Sequence, residues 1–76
     1  MRTVVIIPLN RNTIRLSPRE TEVLTMISRG YLTKQMAREL ELSEKTVSTH
    51  RQNMLRKTHT STISELIGRA KDEGLL

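Results

Sequence analysis

The chain has 76 residues, 13 Lys and Arg against 8 Asp and Glu, a net charge of +5 and a pI near 10.5, with Tyr31 its sole aromatic residue and no cysteine. That length holds one small domain whose core leaves little surplus stability, so a second copy or another partner is expected, and the basic balance favours a polyanionic one. Disulfides and thiolate metal sites are excluded, a reducing cytosolic setting fits, and single-strand nucleic-acid binding is disfavoured for want of aromatic stacking platforms.

Residues 1–16 read as a short extended N-terminal arm: the β-branched run Val4-Val5-Ile6-Ile7, then Pro8 and the polar turn Asn10-Arg11-Asn12-Thr13. The run falls far short of the ~18 apolar residues of a membrane span and lacks a small-residue cleavage site, so a cytoplasmic protein with no membrane partner is expected. It either packs on the domain or pairs edge to edge with another chain; the sequence leaves both open.

Residues 17–76 read as helical. Ser17-Pro18-Arg19-Glu20 combines a capping serine, a first-turn proline and a capping-box glutamate, and predicts a helix over 18–29 with Val23, Leu24 and Ile27 buried and Gly30 just past its end. Thr33 is expected to cap a two-turn second helix with Met36, Ala37 and Leu40 on one face, ending around 39–41. After Glu41-Leu42-Ser43, with Ser43 as cap, a longer third helix turns Val47, His50, Met54 and Thr58 inward. A short helix, a tight turn and a longer helix make a helix-turn-helix signature. Thr62 and Glu65 predict a further capping box before Ile63, Leu66, Ile67 and Ala70, with a stop near Gly74. The expected architecture is all-α, four helices behind an extended arm.

The excess charge sits on the third helix. Residues 43–58 hold Lys45, Arg51, Arg56 and Lys57 against Glu44, whereas residues 17–42 balance four charges of each sign. One basic face is the footprint of a duplex binder. With Val47 and Met54 inward, helical spacing puts Lys45, Ser48, Thr49, Gln52 and Arg56 outward. His50 lies between the two faces, where bonding to a phosphate and to a backbone group are equally open. His50 and His59, nine residues apart, do not share a helix face as metal ligands, and neither has a nucleophile or acid at a defined spacing. No cofactor and no enzymatic activity are expected.

Leu16-Ser17-Pro18-Arg19-Glu20, Glu22-Val23-Leu24, Ile27 and Gly30 resemble the opening of LuxR-type (GerE-like) domains. Lys34, Ala37, Leu40, Leu42-Ser43, Thr46-Val47, His50-Arg51, Asn53 and Arg56-Lys57 resemble that family's helix-turn-helix in the same order and spacing, and Ser61-Thr62 and Glu65-Leu66 its fourth helix. The resemblance covers roughly residues 16–71, and many spaced positions in order are more specific than any short motif. It implies sequence-specific binding to promoter DNA, the third helix in the major groove, and a homodimer through the fourth. It departs from the family at Thr58, where a leucine is common, and at His59-Thr60, which replace a small and then an apolar residue. The family commonly carries a receiver or ligand-binding domain upstream; about sixteen residues precede the helices here, which fits a stand-alone regulator or a fragment.

The resemblance points to Ser48, Thr49 and Gln52 as base-edge readers; glutamine can pair with adenine through two hydrogen bonds, and threonine offers a hydroxyl and a methyl group. Phosphate contacts are expected from Lys34 and backbone amides at the start of the second helix, and from Lys45, Thr46, Arg51, Arg56 and Lys57. On the fourth helix Leu66 and Ala70 are assigned to the core, and Ile63 and Ile67 to a dimer interface. The competing reading is a protein-interaction module in which the arm and fourth helix dock on RNA polymerase or another regulator.

Overall fold

A computed structural model describes residues 14–76. Of the expected arm over residues 1–16, residues 1–13, with the apolar run 4–7, lie outside the described residues. Four helices follow one another: α1 Pro18–Ser28, α2 Thr33–Leu40, α3 Glu44–Thr58 and α4 Ile63–Asp72, with no strand among the described residues. The all-α, four-helix expectation holds.

Helix α1 starts as its sequence dictates. The Glu20 N–H donates to Ser17 Oγ at 3.1 Å while the Glu20 carboxylate accepts the Ser17 N–H at 2.8 Å, satisfying two amides that have no partner within the helix. Its last helical residue is Ser28; Arg29 caps it, and Gly30 takes the left-handed backbone (φ 92°) that lets the Tyr31 N–H return to the Met26 carbonyl at 3.0 Å.

Helix α2 corrects one expectation. Its N-cap is Leu32, not Thr33; Thr33 is the first helical residue, and the Gln35 side chain accepts the Leu32 N–H at 2.8 Å. A leucine cap offers no acceptor of its own, so a glutamine reaching backwards does half the work of a capping box. The Thr33 hydroxyl is instead taken by a side chain of α3.

The turn into α3 spends a non-glycine residue in the left-handed region. Glu41 (φ 57°) closes α2, the Leu42 N–H bonds the Ala37 carbonyl at 2.8 Å, and Ser43 Oγ accepts the Thr46 N–H at 3.0 Å to open α3. Three residues thus make the turn between the paired helices. At the far end of α3, His59 repeats the left-handed cap (φ 55°). Helix α4 departs in detail from a capping box: Thr62 Oγ1 accepts the Glu65 N–H at 3.1 Å, but the Glu65 carboxylate takes the Ser61 N–H, one residue before the cap.

The core comes from one stripe of each helix. Val23, Leu24, Met36, Ala37, Val47, Met54, Leu66 and Ala70 are buried, and Ile14 joins them from ahead of α1. Helix α3 lies at the centre, packing on α1, α2 and α4, so its inner residues determine how every other helix sits. Each fully buried aliphatic side chain contributes on the order of 1.5–3 kcal/mol. Leu66 and Ala70 are wholly internal, while Ile63 and Ile67 are half-buried against the same core.

Thr58, where the family commonly has leucine, is buried and does not open the α3–α4 junction. Its hydroxyl lies 2.7 Å from the Met54 carbonyl and 2.8 Å from the hydroxyl of Thr60, itself buried. Two buried polar groups that satisfy each other avoid the desolvation cost that either would incur alone. Sequence patterning shows the substitution; only the fold brings the paired hydroxyl to it.

Candidate nucleic-acid interface

Because Val47, Met54 and Thr58 are buried, the opposite side of α3 faces outward, and Lys45, Ser48, Thr49, Gln52 and Arg56 are all exposed there. Lys45, Ser48, Gln52 and Arg56 have no side-chain hydrogen bond or ion pair among the described residues. Thr49 donates to the Lys45 carbonyl at 3.0 Å, a bond within its own helix that leaves its methyl group and oxygen lone pairs outward. The result is a strip of short polar side chains between two cations. On one side the strip adjoins a cleft of about 240 Å³ lined by Ser48, Arg51, Gln52, Leu55 and Ile63, so the outward face of α3 runs on to the start of α4.

Lys34 stands exposed in the first turn of α2, without an ion pair among the described residues. Thr46 is half-buried, and its hydroxyl accepts from Ser43 Oγ at 2.8 Å, which ties it to the capping of α3. His50 is half-buried at the edge of the face, as its register requires.

Two of the cations expected at phosphates also have protein partners. Arg51 Nη1 donates to Thr33 Oγ1 at 3.0 Å, bracing α3 against the start of α2. The Lys57 ammonium lies 2.7 Å from Glu20 Oε1 and turns toward α1. Glu20 is nearly inaccessible (side chain 7%), so the pair links the start of α1 to the last turn of α3 through a carboxylate that also caps α1. Burial pushes the Glu20 carboxyl up, but the Lys57 ammonium and the Ser17 N–H and hydroxyl outweigh it and hold it below the ordinary carboxylate value. A single anion satisfies both helices.

Neither contact was visible in the linear pattern, which assigned both cations to phosphates. Glu20 and Lys57 are 37 positions apart and Thr33 and Arg51 are 18 apart, so no local spacing announces them. Arg69, which no spacing rule singled out, donates from Nη1 to the Thr58 carbonyl at 2.7 Å. Among the described residues no three His, Cys, Asp or Glu side chains come together as a metal site, and no helix is long and apolar enough to cross a membrane.

Residues 15–70 match the family described as "Bacterial regulatory proteins, luxR family". The chain belongs to that family. It is similar to the response regulator protein TodT of Pseudomonas putida, with 49% identity over 59 residues covering 78% of this chain and 26% of that protein. The response regulator protein TmoT of Ectopseudomonas mendocina is 44% identical over 52 residues, 68% of this chain and 24% of its own. The transcriptional regulatory protein FixJ of Bradyrhizobium diazoefficiens is 36% identical over 61 residues, 80% of this chain and 30% of its own. The chain spans about a quarter of the length of the first curated relatives it matches. No solved structure matches it. In this LuxR-type helix-turn-helix DNA-binding domain, α2 and α3 form the helix pair.

Proposed function

We propose that this LuxR-type domain acts in a bacterial transcription regulator that binds promoter DNA sequence-specifically, laying the outer face of α3 in the major groove. The observation that carries the reading is the exposed strip of Ser48, Thr49 and Gln52 flanked by Lys45 and Arg56, on a helix whose opposite side is core. An α-helix fits the major groove, where a glutamine amide can bond adenine through two hydrogen bonds and a threonine methyl can meet thymine. Lys34, Lys45 and Arg56 bind phosphates and set the register, helped by Thr46 and the remaining donors of Arg51. Lys57 acts first through Glu20 and adds little at the DNA. A dimer through Ile63 and Ile67 of α4 would place two such faces on adjacent half-sites. A cytoplasmic location belongs to the same proposal. No enzymatic role is proposed.

The alternative reading, a docking module for RNA polymerase or another regulator, draws no support from the departure at Thr58, which is internal. The deciding experiment is duplex binding at several salt concentrations against random competitor, for the wild type and Gln52→Ala. A specific complex that survives competitor, with preference lost by about 1–3 kcal/mol in the variant, supports direct readout. Binding that is indiscriminate in both proteins overturns it.

A further inference from the structure

The last carbonyls of a helix have no partners within it, and in α3 that of Thr58 is met by Arg69 Nη1 of α4 at 2.7 Å. A cation there also opposes the negative end of the helix dipole. Arg69 Nη2 stands 3.8 Å from Glu73 Oε2, one turn further along, and Glu73 Oε1 accepts the backbone N–H of Ile14 at 2.7 Å. The contacts therefore run unbroken from the residue at which the described chain enters the domain to the end of the helix that carries the reading face. Both ends are anchored, since Ile14 and Thr58 are each 5% exposed. The side chains between them are only 32% and 25% exposed, so water and salt screen the pair less than an ordinary surface ion pair.

We propose that Arg69 and Glu73 are positioning residues for the recognition helix, and that through them the placement of the backbone at Ile14 governs how Ser48, Thr49 and Gln52 are aimed. The proposal rests on the DNA-binding reading above. Without Glu73 the guanidinium loses the carboxylate beside it and the Ile14 N–H its acceptor; without Arg69 the Thr58 carbonyl loses its side-chain partner. The readers lie on the same rigid helix, and direct readout tolerates a misplacement of only about 0.5 Å. A displacement of the backbone at Ile14 is then felt at the groove.

The test uses the full chain with Glu73→Ala, Arg69→Met, the double variant, and Arg69→Lys as the conservative rescue. Amide hydrogen exchange is followed at His59 and Thr60, whose N–H groups bond the carbonyls of Arg56 and Leu55. Each single variant is expected to speed exchange there about tenfold, the size of one lost charge-assisted hydrogen bond, and the double variant no further. The preference for a selected operator over random duplex should fall about five- to tenfold with the salt slope unchanged, and Arg69→Lys should restore part of it. Additive effects in the double variant, or unchanged exchange, overturn the coupling. Faster exchange with an unaltered operator preference overturns the positioning role. If the wild type itself shows no operator preference, the DNA reading and the positioning role fall together, while the exchange data still decide whether Ile14 is coupled to the end of α3.

Discussion

The two sides of α3 are built on opposite rules. Its inner side and last turn are held by Val47, Met54 and Thr58 in the core, by Glu20 on Lys57, and by Arg69 on the Thr58 carbonyl. Its outer side carries Ser48, Gln52 and Arg56 with no intramolecular partner among the described residues. Rigidity is concentrated on the side that orients the helix, and hydrogen-bonding capacity is left unspent on the face proposed to meet DNA. A reading face must do both, since binding energy is lost to ordering if the scaffold moves and lost to competition if the side chains already have partners.

The sharpest way to break this asymmetry is from the inside. Met54→Ala removes a fully buried side chain at the centre of the core and should cost about 2–5 kcal/mol of stability by denaturant unfolding, enough to unfold much of a domain this small. Next is Glu20→Gln, which keeps an acceptor for Ser17 but uncouples Lys57, with an expected loss of about 1–2 kcal/mol at neutral pH. Because the folded Glu20 pKa lies below its ordinary value of 4.5, the wild-type contribution is intact above that pH and is lost as the pH falls through the lower folded value. The variant should lack that acid-side loss in a thermal melt followed from neutral to acid pH.

A third comparison separates the two kinds of cation. Arg56→Gln should reduce the slope of log binding constant against log salt by about 0.9 with little change in stability, whereas Lys57→Gln should lower stability and leave the slope nearly unchanged. Equal slope changes in both would show that Lys57 reaches phosphate after all. The smallest effect is at the turn: Glu41→Gly relieves a left-handed non-glycine residue and should leave stability unchanged or raise it by up to about 1 kcal/mol, with operator binding unaffected.

Most of the fold was legible because it is locally encoded. Ser17, Ser43 and Thr62 cap α1, α3 and α4 as their spacing predicts, Gly30 follows α1, and the inward stripe of α3 identifies its outward residues. Helix α2 misled by one residue because Thr33 has the chemistry of a cap while Leu32 occupies the place; the tertiary contact with Arg51 gives the threonine hydroxyl its partner. The same blindness affected the cations. Helical spacing says that Arg51 and Lys57 belong to a basic helix, but not that Thr33 and Glu20 wait across the fold, and the Arg69–Glu73 link shows its purpose only once Thr58 and Ile14 are beside it. Local pattern reports which side chains are charged; packing determines which of them remain available.

The exposed strip on α3 also bears on how such a protein can change over generations. Among the described residues, exchanging Ser48 or Gln52 disturbs no internal bond, and surface substitutions of this kind usually alter stability by no more than about 0.5 kcal/mol. With the proposed reading face on this strip, new sequence preferences are open to single steps with the fold as a constant background, whereas a change at the clamp in the last turn of the helix disturbs bonds shared by several residues.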